Sequence, residues 1–267
     1  MSAPAAESTG ARWRRYWTAF NTIATRETRR YLRIWLQTLV PPAITMTLYF
    51  VIFGSLIGER IGPVAGFDYM AYIVPGLIMM SVITNAYTNV VSSFFGAKFQ
   101  RFVEELLVAP VPGWIILAGF VAGGVGRALL VGLLVTGVSL FFWDVSIAHP
   151  WIVASVVLLT AILFSLGGFL NAIFARKFDD ISIVPTFVLT PLTYLGGVFY
   201  SIDMLPAFWQ QVSLANPVLY MVNAFRYGFL GTADIPIAIA YGIIGLVIVL
   251  LTGIALVLLE RGTGIRT

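Results

Sequence analysis

Residues 94–114 read FFGAKFQRFVEELLVAPVPGW, a short charged stretch set between two long apolar runs. On a helix, Phe95, Phe99, Phe102 and Leu106 fall at i, i+4, i+7 and i+11, with Lys98, Arg101 and Glu105 on the opposite face. Pro110 and Pro112 end the pattern, because the residue before a proline avoids helical geometry, and Gly113 supplies a turn. The spacing predicts one amphipathic helix over 94–112, lying along a membrane surface with one face toward water.

That reading requires membrane spans on either side, and the composition supplies them. Of 267 residues, 59% are hydrophobic and 10% charged, against about 25% charged in an ordinary soluble domain. The chain is therefore expected to be an all-α, polytopic membrane protein. With no Cys and one His, His149, it offers no disulfide framework and no thiolate or histidine-cluster metal site. The net charge of +4 marks one side of a membrane rather than a nucleic-acid partner.

Six runs are long enough to span a hydrocarbon core, which takes roughly 20 apolar residues: 37–57, 69–91, 115–143, 151–174, 181–200 and 236–259. Before the first, residues 12–35 interleave Trp13, Tyr16, Trp17, Phe20, Tyr31 and Trp35 with seven arginines. This predicts an interfacial amphipathic helix whose aromatic face lies in the headgroup layer. The same helix could instead dock a cytosolic partner. Residues 1–10 are expected to fray.

Lysine and arginine orient the spans. Arg12, Arg14, Arg15, Arg26, Arg29, Arg30, Arg33, Lys98, Arg101, Arg176, Lys177, Arg261 and Arg266 fall on one side, 13 of the 16 basic residues. The positive-inside rule then puts both termini in the cytoplasm. This holds only if residues 206–230 do not cross. Asn216-Pro217 breaks that apolar segment, which predicts two short helices, 206–214 and 218–230, dipping in from the outer face and returning. Trp209, Tyr220, Phe225 and Tyr227 make it too apolar and aromatic for a plain loop.

Nothing in the chain supplies its own driving force. There is no phosphate-binding loop, since no Gly-rich piece carries the required Gly-Lys pair. The acidic residues stand at span ends or in loops, which disfavours ion coupling. Arg127 is the charge well within an apolar run; it either snorkels to phosphates or lines a substrate path. Asn85 and Asn89, at i and i+4, form a polar stripe that serves hydrogen bonding between helices better than substrate binding. Adjacent Asp179 and Asp180 point apart on a helix, so no catalytic carboxylate pair forms. No catalytic, cofactor or metal site is expected.

The order of elements resembles the ABC-2 family of exporter permeases. FFGAKFQRFVEELLVAPVP is similar to its coupling segment and LPAFWQQVSLANPVLYMVNAFRYGFLG to its outer re-entrant signature. RIWLQTLVPPAITMTLYFVIFG, YIVPGLIMMSVITNAY and FDDISIVPTFVLTPLTYLGGVFYS resemble the bacterial YadH-like inner-membrane permeases within it. The resemblance implies a cytoplasmic tail and interfacial helix over 1–35, a permease domain over 36–262 and a cytoplasmic tail over 263–267. It implies a permease homodimer in the bacterial inner membrane, exporting an unidentified substrate. Two separate ATPase subunits would bind ATP and Mg. Lys98, Arg101, Glu104 and Glu105 would then face the ATPase while Phe99, Phe102 and Leu106 hold the helix to the bundle. Trp209, Asn216, Pro217, Tyr220 and Arg226 would build the re-entrant segment. A stand-alone carrier or channel is the alternative.

Overall fold

The structure, a computed structural model, describes residues 9–144 and 146–264. Residues 1–8 of the expected frayed start, and Arg266 in the expected tail, lie outside the described residues. Helix α1 (Thr9–Arg33) begins at once. A kink at Ile34 leads to α2 (Trp35–Tyr49), which continues as a π-helical stretch, Phe50–Ile57, and α3 (Gly58–Ile61). Then come α4 (Tyr69–Phe99), α5 (Phe102–Val108), α6 (Gly113–Ser139) and α7 (Pro150–Phe174). Three short pieces follow: α8 (Asp180–Val184), a π turn Pro185–Leu189 and α9 (Thr190–Tyr194). The chain closes with α10 (Ala207–Leu214), α11 (Pro217–Leu230) and α12 (Ile237–Arg261).

Among the described residues, five helices are long and apolar enough to cross a membrane: Trp35–Gly54, α4, α6, α7 and α12. The expected span over 181–200 is helical only from Asp180 to Tyr194, about 22 Å against a hydrocarbon core of about 30 Å. Its prolines explain the interruption. Pro191 has no N–H to donate one turn back, and the Thr190 amide reaches five residues back, to the Pro185 carbonyl, so the turn widens.

Helix α4 is the axis of the bundle. Of its most apolar stretch 89% is buried, against 17% in α2 and in α12, whose outer faces are left to lipid or a partner. Between helices in lipid the hydrophobic effect supplies little, so close packing must hold them. Gly168 of α7 allows this: a Cβ there would lie 2.5 Å from the Tyr87 carbonyl oxygen of α4. Phe94, Phe120 and Phe169, all buried, fill the space among α4, α6 and α7, with ring centres 4.1 Å apart for Phe94–Phe169 and 5.1 Å for Phe94–Phe120.

Contacts sort the connections onto two ends of the bundle. At one end Tyr16 meets Trp114, Gly113 faces Leu259, and Phe95 meets Phe178. At the other, Tyr69 donates to the Phe199 carbonyl, Tyr49 and Tyr194 share a hydrogen bond, and the Ala148 and His149 amides donate to Phe229 and Gly228. The start of α1, the 100–112 link and the end of α12 thus lie together, opposite α11.

Candidate functional site

The link between α4 and α6 departs from the single helix expected over 94–112. Helix α4 runs on to Phe99, the Gln100 and Arg101 amides close it by bonding to the Gly96 and Lys98 carbonyls, and Arg101 turns left-handed, with φ 59° and ψ 8°. After that break α5 starts afresh, with Glu104 and Glu105 in its first turn, where the helix dipole favours negative charge. The periodicity carries straight through the break, which is why the sequence reads as one helix.

The break redistributes the expected faces. Phe95 is buried in α4, whereas Phe99 is 62% exposed and touches only the edge of the core, its ring tilted against Phe95 and edge-on to Phe178. Phe102 and Leu106 are half-buried, and Val103 between them is buried. The Arg26 guanidinium lies 4.1 Å from the centre of the Phe102 ring, which ties α5 to α1. Arg101, Glu104 and Glu105 are exposed. Lys98 is not a free surface charge: its ammonium donates 2.6 and 2.8 Å to the Ile173 and Ala175 carbonyls. It thereby caps the C-terminal end of α7, where a cation offsets the dipole.

Helix α1, expected at the membrane surface, lies lengthwise against α6. Ile23, Glu27 and Tyr31 pack in turn on Gly119, Gly123 and Gly126, and all three are buried. Buried Glu27 pairs with Arg30 at 3.2 Å, and Arg30 donates 2.8 and 3.0 Å to the side-chain and main-chain oxygens of Asn89. The sequence reading missed this clasp, although Glu27 and Arg30 at i and i+3 on an otherwise acid-free helix were its signal. Asn89 therefore bonds between helices, while Asn85 donates to the Ser81 carbonyl within α4. The two do not form one open polar stripe. Arg127, three residues beyond Gly124 on α6, keeps its Nε buried without a partner, and Arg30 is near enough to act on it electrostatically.

The α10–α11 segment is pinned at its central turn and along α11. Asn216 caps α11, accepting from the Val218 amide and donating 2.6 Å to the Leu192 carbonyl, with Pro217 at the first helical position. Tyr220 donates 2.7 Å to the Leu214 carbonyl of α10, and Trp209 is 45% exposed. Arg226 is buried, and its guanidinium donates to the Tyr72 carbonyl and hydroxyl and, at 2.6 Å, to the Gly197 carbonyl. Among the described residues no three His, Asp or Glu side chains gather as a metal site.

Comparison with known proteins bears on this arrangement. The family model described as "ABC-2 type transporter" matches residues 18–230. The chain is 62% identical over 253 residues to "Inner membrane transport permease YadH" of Escherichia coli (strain K12), covering 94% of this chain and 98% of that one. It is 26% identical over 254 residues to "Nodulation protein J" of Rhizobium leguminosarum bv. viciae, covering 93% and 92%. The corresponding protein of Rhizobium meliloti (strain 1021) is 24% identical over 235 residues, covering 86% and 84%.

Proposed function

The chain belongs to the ABC-2 type transporter family, a membrane permease component of ABC transporters, and from that premise we propose that it exports its substrate across the bacterial inner membrane under the drive of a separate ATPase. The permease works as a homodimer with two ATPase subunits, which carry the ATP and Mg. The 62% identity to an inner membrane transport permease supports the inner-membrane location. Six crossings fit the chain if 181–194 is a shortened fifth span and α10–α11 re-enter from the outer face. Supporting the re-entrant reading, α11 has only 14 residues, about 21 Å of helix.

The observation that carries the coupling reading is the rigid path from α5 into the bundle. Exposed Arg101, Glu104 and Glu105 present charge to a cytosolic partner, while buried Val103 and the Arg26–Phe102 contact fix α5 to α1 and α4. Movement imposed on α5 then enters two long helices at once, because packed elements shift as units. Exposed Leu36, Ile44, Leu48 and Leu56 on the first span and Phe187 on the fifth supply an apolar dimer face.

Purification from membranes tests the proposal. A phosphate-loop ATPase is expected to accompany the permease, two copies of each chain in mild detergent. A chain that transports in vesicles without such an ATPase would instead be a stand-alone carrier or channel.

A further inference from the structure

At the end of the bundle that holds α5, a cleft of about 720 Å³ opens between the ends of α4 and α7 and the chain beyond α12. Its walls include Lys98, Arg101, Arg176, Phe99 and Phe174, with no carboxylate among the described residues that line it. We propose that this cleft binds the phosphate of an anionic phospholipid from the inner leaflet. The inference rests on the reading that α4 and α7 span the membrane with this end toward the cytoplasm.

Charge is the first argument. Two helices end at the cleft, each worth about half a negative charge, and the Asp180 carboxylate lies beside Arg176, so three cations leave a net charge of roughly +1. Lys98 commits two of its three N–H groups to the end of α7. Arg101 and Arg176 are exposed and uncommitted by side-chain hydrogen bonds among the described residues. Two guanidinium forks suit a phosphate diester, whose oxygens each accept paired donors.

The aromatic rim decides the source of the phosphate. Phe99 and Phe174 are each 62% exposed and Phe178, in contact with Phe99, is 56% exposed. That much aromatic surface among cations is out of place in water but typical of the headgroup layer. Helix α7 has 25 residues, about 37 Å against a core of about 30 Å, so its end and Arg176 reach the phosphates.

Arg101 adds an independent observation. It holds a left-handed conformation, φ 59°, that glycine would adopt freely and an arginine adopts at a cost. Nothing in the local backbone calls for arginine there, and a guanidinium serving the cleft accounts for it.

The test is native mass spectrometry of the purified chain with phosphatidylglycerol, phosphatidylcholine of the same acyl chains, or inorganic phosphate, followed by thermal shift. One phosphatidylglycerol per chain is expected to persist and to raise Tm, while phosphatidylcholine does neither. Arg176→Gln and Arg101→Gly should each weaken retention about tenfold, the loss expected for one charged hydrogen-bonding group. Because glycine relieves the backbone at position 101, that variant should fold at least as well as the parent, which separates lost binding from misfolding. Equal retention of the two lipids, parental retention in both variants, or equal protection by inorganic phosphate would each overturn the proposal. So would loss of ATPase co-purification in Arg176→Gln with lipid retention unchanged, since the cleft would then serve the protein partner.

Discussion

Arg226 sets its guanidinium carbon 3.8 Å from the centre of the Tyr72 ring while donating 2.9 Å to the Tyr72 hydroxyl and 3.1 Å to its carbonyl. One side chain thus binds α11 to the start of α4, and through Gly197 to the turn after the shortened span. A lysine cannot reach all three acceptors, because its donors radiate from one point. Arg226→Lys should destabilise the permease by about 2–4 kcal/mol, the cost of stranding buried acceptors and a misplaced charge. A Tm in detergent within a degree of the parent would refute that.

The re-entrant reading of α10–α11 is tested by topology. Reporter tags at Met1, near Lys98 and at Thr267 should be cytoplasmic, and tags near Gly62 and His149 external, as the positive-inside rule requires. An external C-terminus would mean that residues 206–230 cross the membrane.

The charged face of α5 is tested by exchanging its signs. Arg101→Glu with Glu105→Arg should leave abundance unchanged but weaken ATPase association about three- to tenfold, the size of one or two exposed ion pairs. Phe102→Ala should act differently. It removes the ring under Arg26, so the ATPase still binds but its hydrolysis no longer drives transport. If the double exchange binds and exports at the parental rate, the contact surface lies elsewhere.

Asp180, in the loop just ahead of the fifth span, gives a pH test. The Arg176 and Lys177 amides donate 2.7 and 3.0 Å to its carboxylate and hold its pKa below the ordinary carboxylate value. A lowered folded-state pKa means the contribution is complete above the unfolded value, about 3.9, and is lost as pH falls through the folded one. Amide exchange in residues 175–180 should therefore stay slow from pH 7 to pH 5. Asp180→Ala should exchange quickly already at pH 7. Opening of the parental loop between pH 7 and pH 5 would contradict this.

The long helices were legible because an apolar run of 20 or more residues has few other uses, and α6, α7 and α12 begin and end within a few residues of expectation. What escaped the sequence is of two kinds. A left-handed arginine leaves no mark, since Gly or Asn is the usual sign of such a break, so Arg101 read as helical. Contacts between distant residues leave none either: Lys98 capping α7, Glu27–Arg30 reaching Asn89, and Arg226 gripping Tyr72 join positions that no periodicity relates. At the candidate site the residues were legible as charged and aromatic, but the break at Arg101 decides which of them face outward.

The row of glycines on α6 that receives Ile23, Glu27 and Tyr31 constrains how the protein is made. Helix α1 is translated before α6, and its seat is synthesised about 100 residues later, a delay of roughly 5–20 s at ordinary elongation rates. Throughout that interval Glu27 has no groove to enter. Tryptophans 13 and 17, on the side of α1 left exposed in the finished bundle, can moor the helix to the bilayer surface until α6 arrives, so α1 takes its place in the bundle later than the order of synthesis alone would give it.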